Sequence, residues 1–401
     1  MCSPCTPRRP TGLLDEVHVG RRAQRAPGDG SPSVLSPPAS ESPTAIERVF
    51  YPPSPEDWGR RALLSPLTAL SWSYAAAVQL RRALYDKGLL RAERVEGLRV
   101  LSVGNLNVGG TGKTPAVLYL AEQLVRAGRK VGILTRGYGR RSREPLTFTG
   151  AQPLPSVEDA GDEPLLLATR CPSVRLFVNP DRVASALRAR DEFGLDTVLL
   201  DDGFQHRRLA RDEDLVVVDE AVGLGNGHML PRGPLREPAS SIRRATLLWV
   251  RTSAAAVGEP PAVSLPREAE SIPRVRARYG PSAWVDPEGM SHPPERLRGQ
   301  GVLALAGLGR PGGFLKTLRT LGVEVVDTAL FPDHHGFTAE ELEDVVQRAA
   351  RRGVVVVTTE KDAVRLPPGF EAWKVRLGVE VLEGAAHLYR ALGLAGASGD
   401  L

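Results

Sequence analysis

The chain has 401 residues, 42% of them hydrophobic and 25% charged, the make-up of a soluble globular protein with room for two domains. Its three cysteines, Cys2, Cys5 and Cys171, exclude a disulfide framework and make the reducing cytosol the default; Cys2 and Cys5 form a lone C-x-x-C with nothing to complete a zinc site. The net charge of +5 asks for an anionic partner, yet no aromatic-interleaved basic motif accompanies it, so nucleic acid is not favoured.

Residues 1–46 are rich in Pro, Ser, Gly and Arg, with little apolar periodicity and no continuous apolar run of a secretory signal. A disordered, low-complexity extension is expected over residues 1–48. The next segment, 49–97, reads as helical, because Leu63, Leu67, Leu70, Tyr74, Ala77, Leu80 and Leu84 recur at helical spacing. No charge falls between Arg61 and Arg81, whereas the stretch from Arg60 to Arg99 holds eight Lys/Arg against three Asp/Glu, an excess equal to that of the whole chain. Such an amphipathic, basic-ended helix fits a membrane interface. It fits equally a helix packed on its own domain, since an apolar stripe does not distinguish the two. Ser65, Pro66, Thr68, Ser71, Ser73 and Gln79 argue against a spanning helix.

From Leu98 onward strands and helices alternate. The strand Leu98–Val103 runs into Val103–Pro115 (VGNLNVGGTGKTP), and a helical pattern over Thr114–Ala127 leads out. A strand, a glycine-rich loop and Gly-Lys-Thr at a helix start make a phosphate-binding loop. Backbone N–H groups of Asn107, Val108, Gly109, Gly110, Thr111 and Gly112 would surround the anion, helped by the helix N-terminus. Lys113 would reach the β- and γ-phosphates and the Thr114 hydroxyl would ligate Mg²⁺. Asn107 stands where the pattern has its first glycine, and asparagine tolerates the left-handed backbone such a turn needs. Further strands are expected at Lys130–Leu134, Thr197–Leu200 and Leu215–Val218, with helices after Gly161–Pro164 and from Pro180-Asp181 to Gly194. This rhythm predicts a largely parallel sheet covered on both faces: a P-loop NTPase-like, three-layer α/β/α domain over residues 98–285. After a poorly patterned connection, 251–272, a second, smaller α/β domain is expected over 286–401. Its strands are Val302–Ala306, Val323–Val326 and Val354–Val357, and its helices Gly313–Leu321, Ala339–Arg352 and a last one over Leu382–Leu392.

Several stretches carry candidate chemistry. The apolar run Val198–Leu200 ends in Asp201-Asp202, which would put at least one carboxylate beside a phosphate-bound metal; the alternative is a turn cap, since Asp-Gly is a common turn pair. Asp162, in Gly161–Pro164, reads by itself as a helix cap. Phe331–His335 sets imidazoles beside a carboxylate, an arrangement that can tune a general base. Prolines stiffen Leu230–Pro238, so Arg236 and Glu237 are either held toward a phosphate or metal or lie on an exposed loop. Gly307–Gly312 matches G-x-G-x-x-G, with Asp327 after the next strand; a dinucleotide fingerprint competes here with a plain turn whose Pro311 opens a helix. Two other function classes therefore stand beside a kinase: a P-loop switch or assembly ATPase, which lacks a guanine-reading Asn-Lys-x-Asp, and a dinucleotide oxidoreductase.

Taken together these stretches resemble the tetraacyldisaccharide 4′-kinase family. The resemblance rests on Val103–Pro115, Thr135–Arg140, Gly161–Pro164, Asp201–Arg211, Leu230–Pro238, Asp333–His334 and Thr358–Leu366, in the family's order across residues 55–395. The family's phosphate loop also lacks the first glycine, so Asn107 is no departure from it. The resemblance implies ATP- and Mg²⁺-dependent phosphorylation of the 4′-hydroxyl of a tetraacylated disaccharide 1-phosphate in lipid A biosynthesis. It implies a monotopic protein at the cytoplasmic face of the inner membrane, and it tips residues 49–97 toward an interfacial helix near the acyl chains. No obligate protein partner is evident. Carried over by motif, Lys113 and Thr114 bind phosphate and Mg²⁺, Asp162 is the general base supported by His334, and Asp201, Asp202 and Glu237 are the metal and active-site carboxylates. On charge alone, Arg136 and Arg140 are assigned to ATP or to the substrate's 1-phosphate.

Overall fold

The computed structural model describes residues 45–52, 57–151, 153–253 and 265–394. The expected extension before Ala45, with Cys2 and Cys5, lies outside them. The chain opens with helices α1 (Ala45–Phe50), α2 (Trp58–Leu63) and α3 (Ser65–Asp86). Asp57 caps α2 by accepting the Arg60 N–H at 2.7 Å, and Pro66 stands at the start of α3, where a missing N–H costs no hydrogen bond. One stripe of α3 docks on the protein: Tyr74, Ala75 and Val78 pack on buried apolar residues, and Ser71 Oγ donates to Met229 O at 2.9 Å. Another set of apolar side chains, Leu63, Leu70, Trp72 and Leu80, is exposed. No helix among the described residues is long and apolar enough to cross a membrane.

The first half continues as β1 (Arg99–Gly104), α4 (Lys113–Arg126), β2 (Val131–Thr135), β3 (Leu146–Phe148), α5 (Val157–Ala160), α6 (Asp162–Arg170), β4 (Arg175–Val178), α7 (Arg182–Asp191), β5 (Thr197–Asp201), β6 (Glu213–Asp219), β7 (Leu247–Thr252) and β8 (Arg274–Val285). The second half is β9 (Ser291–His292), β10 (Gly301–Gly307), α8 (Gly312–Thr320), β11 (Glu324–Phe331), α9 (Ala339–Arg352), β12 (Val355–Thr359), α10 (Glu360–Ala363), β13 (Trp373–Glu383) and α11 (Ala385–Leu392). All the strands form one sheet in the order β11-β10-β12-β13-β8-β7-β6-β1-β5-β2-β4-β3, with β9 beside β8. Two runs of parallel strands meet at an antiparallel seam, β8 against β13; the edge strand β3 and the short β9 also run antiparallel to their neighbours, β4 and β8.

Strand alternation puts helices on both faces. Leu101 and Val103 of β1 join Val117, Leu120 and Leu124 of α4, while Val100 joins Val183 and Ala186 of α7. In the second half Val302, Ala304 and Ala306 pack with Phe314, Leu315 and Leu318 of α8, and Leu303 and Leu305 with Leu342 and Val345 of α9. The expected division at 285/286 falls at the end of β8, but the chain crosses back. β13 pairs along β8, and Leu388, Ala391 and Leu392 of α11 enter the same core as β1 and α4. Within the last expected helix, residues up to Glu383 belong instead to β13. The alternation of Val375, Leu377, Val379 and Val381 in β13 is a strand's, and Gly384, at φ 81°, ends it.

Candidate active site

The phosphate loop, residues 105–112, joins β1 to α4. Its left-handed turns fall on Gly109 (φ 102°) and Gly112 (φ 85°). Asn107, expected to take such a turn, does not; it is buried and its Nδ2 donates to Gly223 O at 2.9 Å, tying the loop to the segment that leads to Leu235. Gly112 has a second reason to be glycine, since a Cβ there would stand 2.6 Å from the Tyr279 ring of β8. The Tyr279 hydroxyl donates to Gly112 O at 2.9 Å and accepts from Trp249 Nε1 at 2.8 Å, so β7 and β8 brace the loop from below.

Asn105 organises the loop's interior, although no motif marks it. Fully buried, it donates to Thr111 Oγ1 at 2.8 Å and accepts from Lys113 Nζ at 3.2 Å. Its only sequence signal is a polar residue directly after a buried strand. Lys113 also lies 3.3 Å from Asp202 Oδ1, and Arg236 Nη1 donates to Asp202 Oδ2 at 2.7 Å. Burial by itself would raise the Asp202 carboxyl; Lys113 and Arg236 outweigh it and hold it below the usual range. The neighbouring Asp201 is the opposite case. Burial, with the Asp202 charge added, raises it, and its Oδ2 accepts from Thr135 Oγ1 at 3.2 Å.

Asp162 and Glu163 open α6, placed there by Gly161, whose φ of 84° and ψ of 155° suit only glycine. Asp162 is 4% exposed; its Oδ1 accepts the Glu163 N–H at 3.1 Å, and its Oδ2 is bonded to His334 Nδ1 at 2.8 Å across 172 residues of sequence. Asp333 Oδ2 lies 3.6 Å from His334 Nε2, and Lys361 Nζ pairs with Asp333 Oδ1 at 3.1 Å. Burial pushes the Glu163 carboxyl up to about 7, and the Asp201 charge adds to it, while Lys361 and Lys113 pull the other way. Asp202 (φ 52°) and His334 (φ 58°) are the two non-glycine residues of left-handed backbone among those described. Such conformations cost about 1–3 kcal/mol each and persist where the surroundings over-determine them.

The other expected residues have the following surroundings. Glu237 is buried with its carboxylate on Arg244, at 2.9 and 3.1 Å, and no group of three acidic, His or Cys residues is arranged for a metal among the described residues. The remaining set still suits Mg²⁺, which keeps several oxygen ligands from water and phosphate and needs only one or two carboxylates. Asp202 Oδ1 is buried without a hydrogen-bond partner and faces only the Lys113 ammonium, which is where such a ligand would be expected. Arg140 is spent on Glu144 O (2.8 Å), and Arg136 is exposed. The G-x-G-x-x-G stretch turns into α8, while Asp327, the acidic residue a dinucleotide would need, is held by Arg348 (2.6 Å) and Arg352 (3.2 Å). His335 is bonded to Glu341 at 2.8 Å and stacked on Phe331, a packing role.

The family model described as tetraacyldisaccharide-1-P 4′-kinase matches residues 62–392. A tetraacyldisaccharide 4′-kinase of Anaeromyxobacter sp. (strain Fw109-5) is 45% identical over 372 residues, covering 89% of this chain and 98% of the relative. One from Syntrophus aciditrophicus (strain SB) is 39% identical over 78% of this chain and 88% of its own. Among solved structures, LpxK from Aquifex aeolicus in complex with ATP matches with a TM-score of 0.69 and 32% identity, covering 83% of this chain and 98% of that one.

Proposed function

This chain belongs to the tetraacyldisaccharide 4′-kinase family, and on that footing we propose how its own residues carry the reaction. The protein transfers the γ-phosphate of ATP to the 4′-hydroxyl of a tetraacyldisaccharide 1-phosphate. The loop amides before Lys113 hold the phosphates, and Lys113 neutralises charge on the β- and γ-oxygens. Mg²⁺, when bound, supplies further charge neutralisation there; Thr114 and the Asp201–Asp202 pair would hold it. Asp162 accepts the proton of the 4′-hydroxyl as that oxygen bonds to the γ-phosphorus, and the bond from phosphorus to the β–γ bridging oxygen breaks to release ADP. His334 orients the Asp162 carboxylate. The observation that carries this reading is the 2.8 Å Asp162–His334 bond.

The apolar side chains exposed on α2 and α3, with the basic residues that follow them, support a protein that lies on the cytoplasmic face of the inner membrane and reaches its lipid there. The test of the catalytic assignment is transfer of labelled phosphate to the lipid. Asp162→Asn is expected to lose about 10²–10⁴-fold in kcat while still binding ATP, and Lys113→Ala to lose transfer and weaken ATP binding together. An Asp162→Asn enzyme at the parental rate would remove Asp162 from the chemistry.

A further inference from the structure

The stretch Thr358–Leu366 has no part in the chemistry above. It folds as the end of β12, then α10 and the turn after it, and it carries the buried Arg365. The Arg365 side chain is 4% exposed. Its Nη1 donates to His335 O at 3.0 Å; its Nη2 donates to Gly307 O at 3.0 Å and pairs with the fully buried Asp362. Its Nε is buried with no hydrogen-bond partner and lies 3.9 Å from Asp162 Oδ2. That is the oxygen His334 Nδ1 holds. One guanidinium therefore grips the carbonyl next to the strained His334 and aims its spare N–H at the carboxylate His334 orients. A buried donor left unsatisfied is costly, and another state of the protein that satisfies it is favoured by that much.

We propose that Arg365 is a positioning residue for phosphoryl transfer: it fixes the His334 backbone through the His335 carbonyl and, in the substrate-bound enzyme, donates its Nε–H to Asp162 Oδ2. The inference rests on the reading of Asp162 as the base. Arginine suits the task because its planar fork serves three fixed acceptors and keeps one N–H in reserve, which a lysine ammonium does not. The other charged groups around the pair are Glu163 on α6, Asp333 on the loop after β11, and Lys361 and Asp362 on α10. Lys361, the one cation among them, is taken by Asp333.

The test is a double-mutant cycle on the full chain, with labelled phosphate transfer to the lipid as readout and ATP binding as the check of folding. Arg365→Met is expected to lower kcat about 10- to 100-fold with the KM for ATP unchanged, and Arg365→Lys to fall between it and the parent. In an Asp162→Asn background neither substitution should lower kcat further, because the residue it acts through is already gone. A merely structural role would instead multiply the two losses, and that result, or a parental rate in Arg365→Met, overturns the proposal. If Arg365→Met does not bind ATP, Arg365→Lys, which keeps the buried charge, decides by the same comparison. A parental rate in Asp162→Asn alone would sink the base assignment, an outcome separate from additivity in the cycle.

Discussion

Replacing His334 with asparagine probes the active site with little disturbance of the fold. His334 has φ 58°, and asparagine is among the few residues that accept that backbone, so the turn should survive. What is lost is the ring bonded to Asp162 Oδ2 at 2.8 Å. Asp162 is 4% exposed, so water replaces the ring poorly. A hydrogen bond to a charged group contributes about 1.5–3 kcal/mol, which at 1.36 kcal/mol per tenfold is about 10- to 150-fold in rate. The ring makes no bond to the phosphate loop, so the loss belongs in kcat and not in the KM for ATP. The assay is steady-state transfer of labelled phosphate to the acylated disaccharide, with thermal melts to confirm folding. A folded His334→Asn protein within threefold of the parental kcat would refute the claim that this bond orients the base.

Two further outcomes are expected. Glu163 is an acid whose folded value, about 7, lies above its ordinary 4.5, so between those pH values the unfolded chain is ionised and the folded one is not. Its contribution therefore lowers stability as pH rises from 4.5 to 7 and stays unfavourable above. Glu163→Gln should then melt higher than the parent at pH 8, with the gap closing toward pH 4; a gap that does not change with pH contradicts the assignment. On α3, Trp72 and Leu80 are 71% and 63% exposed. An apolar side chain is worth about 1.5–3 kcal/mol on full burial, so Trp72→Ser with Leu80→Ser should weaken flotation with anionic vesicles by about tenfold or more. Unchanged flotation would show that this stripe does not meet the lipid.

Local rules carried the sequence a long way. Strand, glycine loop and Gly-Lys-Thr are a contiguous device, so β1, the loop and α4 were legible within a residue or so, and the apolar run ending in Asp201-Asp202 marked β5 beside them. Two of the strands that escaped, β8 and β4, lack a clean local signal. β8 carries Gly280-Pro281 in mid-strand, a turn signal overridden by pairing with Gly378 and Leu377 of β13, beyond the end of the β7 pairing at Arg278. β4 is four residues long and shows no alternation, because both its faces are covered.

Chain order also hid which partners each carboxylate meets. Asp162 on its own is a helix-start residue; it became a candidate base only through resemblance, and its partner lies 172 positions away, where pairing leaves no local trace. Glu237 pairs with Arg244, and Arg140 donates to a backbone carbonyl, partners that only packing reveals. Asn105, Tyr279 and Arg365 carry no motif of their own. The sequence by itself determined where an anion would be held, because that depends on consecutive backbone groups. Only the tertiary structure decided which distant side chains converge on it, because convergence depends on the antiparallel seam of β8 and β13 that joins the two halves into one sheet.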